Sequence, residues 1–268
     1  MLCMDIAYSN KSRVEWIDLA KGVAILMVIV VHLSQTLPLT RCFKEVASFG
    51  AMGVQLFFIL SAYCLYMTDK GGAWSAQHII RKYRRFLPWY LFGIVLYAGY
   101  AFVKNGSVGC STWDILANVL LVNDFIPSAQ NSVVPGGWSI SCIALFAFVH
   151  PLVRKRLPLL CCLGVVGAVA SATGYRLLGW TRFYAYCNPM NQLVVFAFGA
   201  AFWHFREDLN TFAASRVGFV GLLGLDLSVA AVFFDRENAI FYRQILISVF
   251  FVCALVLVQR LIGGGGGG

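Results

Sequence analysis

The chain has 268 residues, of which 60% are hydrophobic and only 12% charged, and its mean hydropathy is +0.76. That balance excludes an ordinary soluble domain and points to an integral membrane protein. The formal net charge of +9 is no argument for a nucleic-acid partner, because the cations cluster beside the ends of apolar runs, where orientation signals sit.

The first apolar run, Ile17 to Leu37, is long enough to cross the roughly 30 Å hydrocarbon core of a bilayer as a helix. It lacks the cleavage site of a secretory signal and exceeds a signal's apolar core in length, so it is expected to remain as the first span. Within it, KGVAILMVIVVH sets Lys21 and His32 eleven residues apart with no polar side chain between them. Eleven steps of about 100° return to within roughly 20° of the start after a rise of about 16 Å, so the two share a face. Asp18 falls within about 60° of both. Lys21 can snorkel to the headgroups, whereas His32 needs a partner or a water-filled cavity. A histidine satisfied by a neighbouring helix and a histidine with a chemical role both fit this pattern.

Further apolar runs follow at Phe49 to Met67, Phe86 to Val103, Trp138 to Val153, Leu157 to Thr173, Pro189 to Phe205, Val217 to Phe234 and Gln244 to Ile262. The expected fold is therefore all-α, a polytopic transmembrane helical bundle of about eight spans. Pro88 suits the first turn of the third span. Lys11, Arg13 and Lys21 lie at or before the start of the first span, Lys70, Arg81, Lys82, Arg84 and Arg85 between the second and third, and Arg154, Lys155 and Arg156 after the fourth. The segment from Lys104 to Gly137 is poor in cations, which places the N-terminus and the basic segments in the cytoplasm and this segment outside. With eight spans the C-terminus also ends inside. The outer segment holds a short amphipathic piece, Trp113 to Val122, followed by a turn-rich stretch.

Nine cysteines are scattered through the apolar runs without metal-ligand spacing and read as small buried hydrophobes, so no metal site is expected. The chain reads as one integral-membrane domain over residues 1–262, with the glycines of 263–268 a tail outside the fold. No internal repeat and no second intramembrane charge pair favours a secondary transporter, although an intramembrane histidine would suit one.

Four stretches in order, WIDLAKGVAILMVIVVH from Trp16, GVQLFFILSAY from Gly53, RKYRRFLPWY from Arg81 and PGGWSIS from Pro135, together resemble the acyltransferase-3 family of bacterial membrane O-acyltransferases. NQLVVFAFGAAFWHF from Asn191 is similar to a later span of that family. The resemblance implies transfer of an acyl group, usually acetyl from acetyl-CoA, to a hydroxyl of an envelope carbohydrate, in the bacterial inner membrane. Acyl-CoA is then a co-substrate, no cofactor is bound, and the partners are the lipid bilayer, the acyl-CoA and a saccharide acceptor, with no nucleic acid.

The basic residue, ten residues, then histidine is the family's most telling spacing, filled here by Lys21 and His32. A neutral histidine is a suitable general base for a hydroxyl that attacks a thioester, because the residue type titrates near neutral pH. Asp18, Lys21, Arg81, Arg84 and Arg85 are the candidates for binding or supporting the donor, since arginine forks bind phosphate. The same cations also serve as topology signals. Ser61, Trp138 and Ser139 are candidate cavity-lining residues, although Ser61 equally suits close helix packing. The sequence departs from the family at Ile143, where the resemblance implies glutamate, at Leu145, a polar position, and at Ala147, a tyrosine position. The family has about ten spans, so two are expected to be missing past the C-terminus. These departures open the alternative of a non-catalytic membrane protein of the same fold.

Overall fold

In lipid a backbone can hydrogen-bond only to itself, so an apolar chain of this composition has to become helix. The computed structural model describes residues 15–69, 76–233 and 243–263, and among them all regular structure is helical. In chain order the helices are α1 (Glu15–Thr36), α2 (Arg41–Ser48), α3 (Gly53–Met67), α4 (Ala76–Asn105), α5 (Thr112–Val119), α6 (Trp138–Val153), α7 (Leu157–Leu177), α8 (Arg182–Cys187), α9 (Pro189–His204), α10 (Arg206–Ala214), α11 (Arg216–Phe233) and α12 (Arg243–Gly263). A 3-10 turn, Phe49–Met52, joins α2 to α3, and another covers Asn123–Phe125.

Each expected apolar run is helical over its described residues to within one residue at its end, but the runs differ in their capacity to cross a bilayer. Among the described residues five helical segments are long and apolar enough: Glu15–Thr36, Arg41–Met67, Leu87–Asn105, Leu157–Leu177 and Arg243–Leu261. Arg206–Ala214 and Arg216–Ala230, bent by 108°, make a sixth if they form one span. α6 and α9 have 16 residues each, which gives a rise of about 24 Å, short of the roughly 30 Å core. The protein is a polytopic membrane bundle with five or six long apolar spans among the described residues.

One expected boundary is corrected. The helix of the third expected span, α4, begins at Ala76, not near Phe86, so the basic stretch at 81–85 is helical and Pro88 lies inside α4 rather than in its first turn. An internal proline removes one backbone hydrogen bond. Position 88 adjoins the start of the apolar segment Leu87–Asn105, where water near the headgroups can satisfy the freed carbonyl.

The core forms where α3 packs between α1 and α9, and α9 between α3 and α7. Small residues let these backbones meet. A Cβ on Gly53 would stand 2.6 Å from the Ala24 carbonyl oxygen of α1, one on Gly164 of α7 2.9 Å from Val194 Cα of α9, and one on Gly199 of α9 would run into the Ile59 carbonyl of α3. Around these crossings Phe58, Ile59, Leu60, Phe196 and Phe202 are almost wholly buried. Phe146 of α6 stacks on Phe196 at 4.7 Å and meets Phe58 edge-on at 5.4 Å, which fastens α6 to the same core. α4 rests on α6 and α5 through Tyr83, which donates to the Ala144 carbonyl (2.9 Å), and Tyr90, which donates to Asn118 Oδ1 (2.8 Å). Its other face exposes Trp89, Val95, Tyr100 and Val103, as suits contact with lipid chains.

We call distal the end of the bundle where α1 finishes. There the segment between α4 and α6 folds back through buried polar contacts. α5 starts with a capping box between Ser111 and Asp114, which agrees with the amphipathic piece expected from Trp113 to Val122. The next turn buries Asn123 and Asp124 completely. Ser141 of α6 donates to Asn123 Oδ1, Cys142 Sγ donates to Asp124 Oδ2 (3.2 Å), and Asn123 Nδ2 donates to Asp124 Oδ1 (3.3 Å). At the opposite, proximal end Arg154 Nη1 reaches both carboxylate oxygens of Asp69 at 3.0 and 3.2 Å, tying the end of α3 to the end of α6.

Two stability predictions follow from this packing. Gly199→Ala should destabilise the bundle by about 1 to 3 kcal/mol, because the added methyl meets backbone that can move only with α3; thermal unfolding in detergent measures this. Burial pushes the Asp124 carboxyl from 3.8 up to about 8. Between those values the folded protein keeps a proton that the unfolded chain has released, so stability falls as pH rises from about 4 to about 8 and then levels off. Asp124→Asn, which cannot ionise, should flatten that fall in the unfolding midpoint; an unchanged pH slope would refute the assignment.

Candidate active site

His32 lies one turn before the end of α1, about 25 Å along the axis from Glu15. It therefore belongs to the distal end of the bundle rather than to its middle. α1 turns Ile17, Ala20, Ala24 and Ser34 inward, and His32, two residues before Ser34, is exposed at the distal end. The Pro135–Trp138 turn approaches it from the start of α6. A Cβ on Gly136 would stand 3.8 Å from His32 Nε2, and Gly136 has φ +79°, a left-handed conformation that glycine adopts without penalty. The turn is held on both sides. Gly136 N donates to Asn131 Oδ1 (2.8 Å), and Ser139 Oγ donates back to the Gly136 carbonyl (2.8 Å).

Next to this turn, Trp138 is buried between Phe58 of α3 and Tyr186 of α8, meeting each ring edge-on at 6.0 Å. Tyr186 begins a polar interior. Gln55 of α3 donates to Gln192 Oε1 of α9 (3.3 Å), and Gln192 in turn donates to the Tyr186 carbonyl (2.6 Å), which Asn191 also reaches (3.2 Å). The Arg243 guanidinium lies 5.3 Å from the Tyr186 ring centre, a favourable cation–π arrangement. Behind Tyr186 opens a cavity of about 420 Å³ whose polar walls are Ser171, Arg182, Tyr186, Asn191, Arg243 and Gln244. Ser171 and Gln244 are buried, and the Ser171 hydroxyl and both amide atoms of Gln244 have no hydrogen-bond partner among the described residues.

The structure separates the expected site residues into two groups. His32, Trp138 and Ser139 converge at the distal turn. Lys21, half-buried, and Asp18, exposed, lie eleven and fourteen residues back along α1. Ser61 belongs to their level, because α3 runs antiparallel to α1 with Gly53 against Ala24 and Tyr63 against Trp16 (5.3 Å). It does not line the His32 turn. Arg84 is exposed in the first half of α4, and Arg81 and Arg85 belong to the same helix, with side chains outside the described set. Ile143 is half-buried and packs on the main core, Leu145 is half-buried, and Ala147 is buried.

The sequence reading missed Asp124, Gln55, Gln192, Tyr186 and Gln244. Its available signal was the polar side chain inside an apolar run: Gln55 in GVQLFF and Gln192 in PMNQLVVF each imply an internal partner, because an unpaired amide in lipid is costly. Among the described residues no group of three or more His, Cys, Asp or Glu is placed to hold a metal ion.

Comparison with curated proteins and with solved structures finds no match. The model of the acyltransferase-3 family, described as an acyltransferase domain, matches residues 14–263. That range takes in α1 with His32, the Trp138 turn and the residues around the polar cavity, and the chain belongs to the acyltransferase-3 family of polytopic membrane proteins.

Proposed function

We propose that the protein is a membrane-embedded O-acyltransferase of the bacterial inner membrane, with its N-terminus in the cytoplasm. It moves an acyl group, in the first instance acetyl, from a cytoplasmic acyl-CoA to a hydroxyl of an envelope carbohydrate. The observation that carries this reading is the position of His32 Nε2 beside the Gly136 turn, which joins two stretches over a hundred residues apart in the sequence at one point of the bundle.

In this reading His32 is the general base. Its neutral imidazole takes the proton of the acceptor hydroxyl while the oxygen attacks the thioester carbonyl; the tetrahedral intermediate expels the CoA thiolate, which takes the proton back. One ester bond forms and one thioester bond breaks. Lys21 and Asp18, with Arg81, Arg84 and Arg85, serve the donor at the proximal end, so the thioester arm must span about 16 Å along α1 to reach the histidine. Trp138 and Ser139 shape the reaction end, and Ser61 supports the donor end.

A second reading, a non-catalytic protein of the same fold, draws on Ile143. The apolar side chain packs on the core where the resemblance implies a carboxylate. A carboxyl does approach this part of α6, but it is that of Asp124, on the Cys142 side.

Two experiments test the proposal. A cysteine at Ser107, exposed between α4 and α5, should react with an impermeant thiol reagent added outside; labelling only from the cytoplasmic side would reverse the orientation. For the chemistry, His32→Ala should lower acyl transfer by about 10² to 10⁴ while donor binding stays close to that of the parent. Lys21→Ala should instead raise the donor KM roughly tenfold. A histidine variant that keeps most of its rate would make His32 a packing residue.

A further inference from the structure

The polar cavity behind Tyr186 does not stand alone. A second hollow of about 400 Å³ lies along α7 and α12, and Ala168 and Ala172 line both. Its character is the opposite of the first. Val165, Val169 and Leu177 form an apolar wall, and all three are exposed on a helix long and apolar enough to span a membrane, so this hollow faces lipid chains. Arg176, in the last turn of α7, stands at its distal end.

From these two spaces we infer one continuous site for an anionic glycolipid, which on the acyl-transfer reading is the acceptor in its lipid-linked form. Each part of such a molecule finds matching chemistry. The unpaired Ser171 hydroxyl and Gln244 amide match the hydroxyls of a sugar ring, since both can donate and accept. Tyr186 and Phe183 offer aromatic faces to the ring's C–H surface. Arg182 lines the first space, and its guanidinium suits a phosphate between sugar and tail. The groove along α7 then takes the first part of the hydrocarbon chain without removing it from an apolar surrounding. A free saccharide would leave this groove unused, and an ordinary membrane lipid would leave the buried amide unpaired.

The contact between the site and the reaction end is Trp138, whose ring meets Tyr186 on one side while its backbone follows the Gly136 turn beside His32. A saccharide headgroup longer than one ring can extend from the cavity past this indole toward the histidine.

The test uses the full chain in phosphatidylcholine nanodiscs and measures binding of a fluorescently tailed phosphatidylinositol, an anionic lipid with a polyhydroxylated ring. Unlabelled phosphatidylinositol should compete, while added phosphatidylcholine and free inositol phosphate should not. Gln244→Leu should weaken binding about fivefold, the loss of one buried hydrogen-bonding group. Ala172→Trp, which fills the junction, should weaken it by more than about tenfold, since an added indole obstructs both spaces. Val103→Trp, on the exposed face of α4, should bind like the parent. Unfolding midpoints of all variants are measured alongside, so a misfolded Ala172→Trp is recognised and Gln244→Leu decides. Equal competition by phosphatidylcholine, or parent-like binding by folded Gln244→Leu and Ala172→Trp, would reduce the groove to bulk lipid and overturn the inference. Free inositol phosphate competing as well as the intact lipid would also overturn it. Because the assay needs no donor and no turnover, a protein that binds as expected but never transfers acyl groups would defeat the acyl-transfer reading and leave the lipid site standing.

Discussion

The bundle depends on helices that touch backbone to backbone. In a bilayer the lipid tails are as apolar as the side chains, so helix association has to come from close packing rather than from the exclusion of water. Gly53 seats α3 on α1, Gly199 seats α9 on α3, and Gly164 with Gly167 seats α7 on α9. Those contacts fix four helices in one stack, and the functional features are all referenced to it. The end of α1, and with it His32, is set by Gly50 and Gly53 against Ala24 and Met27. The start of α9, and with it the cavity wall, is set by Gly167 against the Met190 carbonyl and by Asn188, whose side chain caps the helix at Met190 N (2.9 Å).

Polar groups fill the places this stack leaves between its helices at the distal end. Gln55, Gln192 and the Tyr186 carbonyl form a chain across α3, α9 and α8 that would be expensive in lipid and is tolerated because it is internal. Each member fixes the next: α8 has only six residues, too short to hold itself as a helix, and two side-chain amides reach its Tyr186 carbonyl. The segment before α6 is secured in the same manner by Asn123 and Asp124. Loops at the ends of a membrane bundle are thus held by buried side-chain hydrogen bonds where the spans are held by small residues.

α6 carries the positions at which the resemblance implies polar residues and the chain has Ile143, Leu145 and Ala147. Trp138, Cys142, Phe146 and Val153 all join the core, a stripe with helical spacing, and Ile143 lies on its flank. The helix packs through apolar side chains along its middle, with polar contacts in its first turns at Ser139, Ser141 and Cys142 and in its last turn at His150, 3.8 Å from Asp69. The carboxyls that meet this helix come from outside it, Asp124 at its first turns and Asp69 at its last.

The sequence by itself determined the all-helical membrane class, the approximate position of each apolar helix, the short amphipathic piece at α5, and the shared face of Lys21 and His32, because these depend on composition and on the fixed geometry of one helix. Only the tertiary structure decided that His32 meets the Gly136 turn, that Ser61 falls at the level of Lys21, that α4 continues backward through the basic stretch, and that Ser171, Tyr186 and Gln244 from three separate helices enclose one cavity. The physical reason is that a helix in lipid is apolar on every side. In a soluble protein the polar stripe marks which face turns outward, whereas here Val165 facing lipid and Val194 facing the core look alike. The inward face is chosen by where two backbones can approach, and that depends on pairs of small residues from distant parts of the chain, Gly199 with Ile59 or Gly167 with Met190, which no local pattern in the sequence brings together.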